Sequence, residues 1–204
     1  MESKYTKSKI ALLYFIFSLI SCSSGKEKLS DTIGIDTNIF EHGDIVCRMG
    51  NGFFSNWFRN FASSEMLYSH VGIIEISNDS VFVIHTEASE LTGIGFVKKE
   101  EIHLFLHNIH TWGLYRINAE NLTKQKIVSN AYDYYLKKVP FDMDFDLTND
   151  SKVYCTELIA YSINKAFKED IIKPTLVYSN KVFYGIEDIY LNPAFSNIHK
   201  VTKN

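Results

Sequence analysis

The stretch YSHVGIIEISNDSVFVIHTEAS, Tyr68 to Ser89, holds two runs of β-branched and aromatic residues on either side of Asn78-Asp79. Such runs, broken by a short polar turn, predict a β-hairpin. Side chains alternate between faces along a strand, so Val81, Val83, His85 and Glu87 share one face of the second run. His70 opens the first run, and the hairpin brings it near His85. Working upstream, GDIVCRM (43–49) predicts a strand after a Gly-Asp turn. Phe53, Phe54, Trp57, Phe58 and Phe61 fall at helical spacing and predict an amphipathic helix. Downstream, KKEEIHLFLH predicts a short helix and WGLYRIN another strand. NLTKQKIVSNAYDYYLKK predicts a long helix, capped by Asn121 or Thr123 and stopping before Pro140. FDMDFDLTNDSK reads as a polar loop, and CTELIAYSINKAF as a helix beginning near Cys155. Helices before and after a run of neighbouring strands give an α+β class with a mostly antiparallel sheet. Residues 170–204 mix short apolar runs with Pro174 and Pro193, and their pattern defines no element.

The bulk numbers set limits on function. A length of 204 residues suits one domain with a short appendage, and 46% apolar with 22% charged residues is ordinary globular composition. A net charge of -3 gives no electrostatic case for nucleic acid. The N-terminus stands apart. Lys4, Lys7 and Lys9 precede IALLYFIFSLI, an apolar run too short to cross a bilayer core of about 30 Å. A basic segment followed by such a run reads as a secretory signal. It ends in LISC, Leu19 to Cys22, which resembles a bacterial lipobox. The resemblance implies cleavage before Cys22 and a lipid on its sulfur. The expected organisation is a signal peptide over 1–21, a polar tether over 22–38 and a catalytic domain over 39–204. The expected location is the bacterial cell envelope, outside the cytoplasm and held to the membrane through Cys22.

Removing Cys22 from the count leaves Cys47 and Cys155, which read either as one disulfide or as two thiols. Cys155 falls at a predicted helix start. There the unpaired backbone amides and the positive end of the helix dipole favour a thiolate. The alternative is a buried cysteine that packs as a small hydrophobe. A thiol nucleophile needs a base and a group that orients the base. His70 and His85 on the hairpin supply candidates, with Glu87 as an alternative third residue.

Four motifs run in order along the chain: Gly43-Asp44-Ile45-Val46, Ser69-His70-Val71-Gly72-Ile73, Pro140-Phe141-Asp142-Met143-Asp144-Phe145 and Tyr154-Cys155-Thr156-Glu157-Leu158. The hairpin resembles that of the NlpC-type papain-like peptidases. The cysteine follows the histidine instead of preceding it, an order similar to that of the permuted papain-like amidases, the YiiX-like family. The resemblance covers 43 to about 167. It implies a circularly permuted papain-like fold, with Cys155 as nucleophile, His70 as base and His85 as the third group. His85 stands where many members have Glu. The implied function is a lipid-anchored cysteine amidase or peptidase acting on a cell-wall peptide or a related amide, with no cofactor and no metal. Two alternatives are an acyltransferase or phospholipase acting on lipid through the same Cys and His, and a non-enzymatic binding lipoprotein. His103, His107 and His110 have helical metal-ligand spacing but lack an acidic partner. Asp142, Asp144 and Asp146 resemble a calcium loop, yet Leu147 and Val153 replace its defining Gly and Glu.

Overall fold

The computed structural model describes residues 34–50, 65–89, 91–178 and 180–202. The predicted aromatic helix around Trp57 and the predicted signal and lipidation segment lie outside them. Six strands form one sheet: β1 (Ile45–Arg48), β2 (His70–Ser77), β3 (Ser80–Ala88), β4 (Gly95–Glu101), β5 (Trp112–Ile117) and β8 (Phe195–Val201). Their order is β4-β3-β2-β1-β5-β8, and every neighbouring pair is antiparallel. The four helices among the described residues are α1 (Ile102–Phe105), α2 (Asn121–Leu136), α3 (Cys155–Phe167) and α4 (Glu187–Tyr190). Strands β6 (Leu176–Tyr178) and β7 (Lys181–Phe183) make a separate hairpin.

The period of two sorts the sheet into two apolar faces. Ile45, Cys47, Val71, Ile73, Ile84 and Tyr115 point to one side, where they pack with Ile127 and Ala131 of α2 and Leu158, Ile159 and Ile163 of α3. Val46, Ile74, Val83 and Leu114 point to the other, against Ile102 and Phe105 of α1 and against Phe40 and Trp112. Each such fully buried side chain contributes about 1.5–3 kcal/mol. Both faces are covered, which is why β2 and β3 read as nearly continuous apolar runs.

Local chemistry explains the boundaries. Asn78 and Asp79 turn the β2–β3 hairpin with φ of 50° and 59°, a region their short polar side chains tolerate. Asp44 of the first motif is fully buried and accepts hydrogen bonds from Arg116 Nε at 2.9 Å and Nη2 at 2.8 Å. That pair ties β1 to β5 and gives the motif aspartate a structural task. Helix α2 ends at Leu136, four residues before Pro140, and is capped at its start by Glu120 through backbone alone, not by Asn121 or Thr123. The short helix predicted over 98–107 is mostly strand. Lys98 to Glu101 continue β4, and only Ile102–Phe105 are helical. Phe96, Lys98 and Glu100 alternate with Val97 and Lys99, a period of two that pairing with β3 selects over the helical reading. The tail that resisted assignment supplies the β6–β7 hairpin, α4 and the edge strand β8.

Candidate active site

The β2–β3 register runs from Ser77↔Ser80 only as far as Ile73↔Ile84. Beyond that point the two strands part. His70 and Val71 stand on one side of the opening, Thr86 and Glu87 on the other. The start of α3 enters it. Thr86 Oγ1 donates to the Val153 carbonyl at 3.4 Å, and the Cys155 thiol faces the backbone amides of Thr156, Val71 and Cys155 itself. The split therefore brings the helix-start sulfur to the amide next to His70. Gly113 and Cys47 of the neighbouring strands register with this region, and Cys47 lies directly across from Val71.

The first turn of α3 is fixed by its neighbours. Tyr154 Oη accepts the Tyr184 amide at 2.8 Å, and Thr156 Oγ1 donates to the Tyr184 carbonyl at 2.6 Å. This bracket holds the residues on either side of Cys155 to one backbone position in the tail. Cys47 and Cys155 are both free thiols.

On the opposite face of the sheet the two hairpin histidines meet. His70 Nε2 and His85 Nδ1 are 2.7 Å apart, and His85 Nε2 lies 2.9 Å from Glu100 Oε1. A carboxylate accepts only, so His85 Nε2 carries a proton. A neutral His85 then presents Nδ1 as an acceptor to the Nε2 proton of His70, which leaves Nδ1 of His70 as its basic nitrogen. No hydrogen bond joins His70 to Cys155 among the described residues. Phe105 packs against both rings, tilted to His70 and edge-on to His85, with centroids 5.7 Å and 4.9 Å away. Gly72 makes the histidine contact possible. A Cβ there would stand 2.3 Å from Val83 Cγ1 and 3.2 Å from His85 Cβ.

Glu87 lies beside this chain but bonds elsewhere. Its carboxylate accepts from Arg48 Nη2 at 2.7 Å and Lys98 Nζ at 3.0 Å. Lys98 also lies 3.4 Å from Glu100. Sequence reasoning named Glu87 and missed Glu100, Arg48 and Lys98. The signal for Glu100 was its place on the same face as Lys98 in a strand mistaken for a helix.

Burial sets the protonation states. It holds His70 well below the usual imidazole range, helped by Arg48, and it lowers His85 against the opposing pull of Glu100. Burial raises Glu87, but His70, Arg48, His85 and Lys98 outweigh it and bring the group to about 2. Glu100 also comes to about 2, because His85 and Lys98 overcome its desolvation. The Cys155 thiol is pushed up to about 12 by burial, against the backbone amides of Thr156 and Val71. This corrects the expectation of a lowered thiol: the helix-start amides are present, but desolvation exceeds them. The resting site holds a neutral thiol and neutral imidazoles.

Residues 40–189 match the model of the permuted papain-like amidase enzymes, YaeF/YiiX, C92 family. The chain belongs to that family. Comparison with curated proteins gives no match. Among solved structures, the crystal structure of the metalloprotein YiiX from Escherichia coli O157:H7 is similar with a TM-score of 0.67 at 16% identity. The likeness covers 80% of this chain and 98% of that one. The fold is thus the permuted papain-like fold, and the order histidine strand first, cysteine helix later is that of a permuted amidase.

Proposed function

We propose that this permuted amidase is a cysteine hydrolase of amide bonds in which Cys155 attacks, His70 takes the proton, and His85 with Glu100 orients His70. The observations that support it are the hydrogen-bonded series His70–His85–Glu100 and a Cys155 thiol that faces the amide of Val71, the residue after His70. The thiol is neutral at rest, so proton transfer to His70 Nδ1 accompanies attack of sulfur on the carbonyl carbon. The C–S bond forms as the carbonyl π pair moves to oxygen. Backbone amides at the start of α3 stabilise that oxyanion. The imidazolium then gives its proton to the leaving amine as the C–N bond breaks. Water, deprotonated by the same imidazole, releases the acyl group from sulfur. Incubation with a panel of cell-wall peptides tests the reading. Wild-type protein produces new amine termini, and Cys155→Ala and His70→Ala do not. Equal hydrolysis by Cys155→Ala sinks it.

One observation favours a lipid ester or acyl amide as the substrate. Leu91, Ile94 and Phe96 are exposed, and Phe96 registers with Glu87 at the open end of the strands. Release of free fatty acid without new amine termini selects that substrate. The predicted leader and LISC segment support attachment to the membrane through Cys22. Mass measurement of the mature N-terminus checks it.

YiiX is called a metalloprotein, and His70, His85 and Glu87 offer ligand atoms within 4.8 Å of one another. Two imidazole nitrogens bound to one tetrahedral zinc ion at about 2.0–2.1 Å stand roughly 3.3 Å apart. Here the facing nitrogens are 2.7 Å apart and joined by a proton. Glu87 is ion-paired with Arg48 and Lys98, whose charges oppose a cation. The arrangement suits a proton relay and does not fit a divalent ion.

A further inference from the structure

Arg48 ends β1 and stands directly across from His70 of β2. Cross-strand partners share a face, so the guanidinium and the imidazole lie on the same side of the sheet. The β2–β3 ladder stops at Ile73↔Ile84; carried on, its register would set Glu87 opposite His70. Arg48, His70 and Glu87 thus form one row across three strands, at a level the ladder between β2 and β3 does not reach. Arg48 closes that row: its Nη2 donates to Glu87 Oε1 at 2.7 Å. A side chain of β1 therefore reaches past β2 to β3, over two strand spacings of about 4.8 Å each. The same guanidinium fixes the cover of the imidazoles. Its Nη1 donates to the Phe105 carbonyl, and its central carbon lies 4.3 Å from the centroid of the Phe105 ring. That ring packs against both His70 and His85. The Arg48 side chain is only 11% exposed, so its charge-assisted bonds are formed largely out of water, where they are strong.

We propose that Arg48 is a positioning residue that spans the β2–β3 opening and, through Glu87 and Phe105, sets the separation and orientation of His70 and His85. Its consequence at Cys155 rests on the thiol-hydrolase reading above, whereas the contact it governs is read on the histidines alone. A planar guanidinium suits the task, because separate nitrogens hold the carboxylate and the carbonyl while the flat face lies on the aromatic ring. Without the span, β3 is released from β1 beyond Ile84, and Phe105 loses the bond that keeps its ring on the imidazoles. The His70–His85 bond, 2.7 Å long, then lengthens, and His85 no longer holds the His70 proton on Nε2. The basic nitrogen of His70 is no longer fixed as Nδ1. The Arg48 charge adds a second effect. The groups that face His70 are Arg48 from β1, His85 and Glu87 from β3 and Lys98 from β4, and after burial Arg48 is the strongest of the influences that disfavour a charged imidazole. An imidazolium formed during attack therefore passes its proton on readily to the leaving amine.

Two readouts on the full-length protein test the span. One is solvent exchange of the ring proton between His70 and His85, followed by 15N-edited NMR of the imidazoles. The other is Cys155 alkylation by iodoacetamide from pH 6 to pH 8.5. Arg48→Met keeps the length of the side chain but loses the fork and the charge. It opens the ring proton to fast exchange and slows alkylation about three- to tenfold at pH 7.5, the order expected of a misplaced base. The slowing is greater at pH 6, where a more basic His70 is partly protonated. Arg48→Lys keeps the charge and loses the fork, so the ring proton again exchanges fast but the pH profile of alkylation is not shifted. Arg48→Met combined with Glu87→Leu is no slower than Arg48→Met alone, because the two groups act as one span. A protected ring proton in Arg48→Met, or additive losses at Arg48 and Glu87, overturn the role of Arg48. If Arg48→Met does not fold, Arg48→Lys and Glu87→Leu decide by the same ring proton. Absence of Cys155 labelling in wild type at every pH overturns the thiol-hydrolase reading instead, and the ring proton still judges the span.

Discussion

Replacing Gly72 by Ala strikes the histidine contact without touching a histidine. The new methyl carbon would lie 2.3 Å from Val83 Cγ1, 3.2 Å from His85 Cβ and 3.2 Å from the Ile84 carbonyl oxygen. Carbon atoms rest at about 3.5–4.0 Å, so Val83 must withdraw by roughly 1.2–1.7 Å. It has no room to do so. Val83 is fully buried against α1, and β3 is held by β4 from Phe82 to Ala88. Overpacking of this kind costs about 1–3 kcal/mol. For a domain of this size that lowers Tm by about 2–4 °C per kcal/mol. The part of the strain not absorbed by Val83 pushes β3 away from β2. The bond from His70 to His85, now 2.7 Å, then passes the useful limit of about 3.2 Å. Thermal denaturation and the rate of Cys155 alkylation read the two effects separately. Val83→Ala in the same chain removes the obstructing carbon, so the double variant recovers alkylation and is more stable than the sum of the single losses requires. A Gly72→Ala protein with wild-type Tm and alkylation refutes the reasoning, and so do strictly additive substitutions.

Three further outcomes follow from the same contacts. Asp44→Ala removes two charge-assisted hydrogen bonds from Arg116, which keeps its pair with Glu41 at 2.6 Å, and destabilises by about 1–3 kcal/mol in urea titration, with Cys155 reactivity changed only through unfolding. Glu100→Leu frees His85 to adopt the wrong tautomer and slows Cys155 alkylation about tenfold or more. Glu87→Leu slows it less, because Glu87 bonds Arg48 and Lys98 instead. In acid, the folded histidines take up protons only below the usual imidazole range and Glu87 and Glu100 stay ionised down to about 2, whereas the unfolded chain takes up protons from about 6.5 for His and 4.5 for Glu. The unfolded state then binds more protons, so the stability these groups contribute is complete above pH 6.5 and is lost on the way down to about pH 2. Tm measured from pH 7 to pH 3 falls, most steeply below 4.5, and the fall is smaller in Glu100→Gln.

The hairpin from His70 to Ala88 and the helix from Cys155 to Phe167 were legible because each carries its period and its stop signals within one short segment. The contact of His70 with His85 and the place of Cys155 at a helix start were legible for the same reason. Glu100 was not legible. KKEEIHLFLH satisfies helical spacing locally, and only pairing with β3 turns its first half into strand. Strand β8, FSNIHKV, hid for another reason: it is an edge strand with little buried surface, so its pattern lacks an apolar face. The state of the thiol also escaped prediction. A helix start argues for a thiolate, but the depth of burial that reverses the argument depends on β1, β2 and the tail packing around it.

The most direct test of the account compares Cys155 alkylation by iodoacetamide at pH 7.5 in wild type and His70→Ala, with intact folding checked by circular dichroism. Base assistance from His70 predicts that Cys155 is labelled ahead of Cys47 in wild type and that the substitution slows it tenfold or more, within the range of about 10²–10⁴ open to general-base assistance. Equal labelling of Cys155 in the two proteins contradicts the claim that His70 serves the thiol.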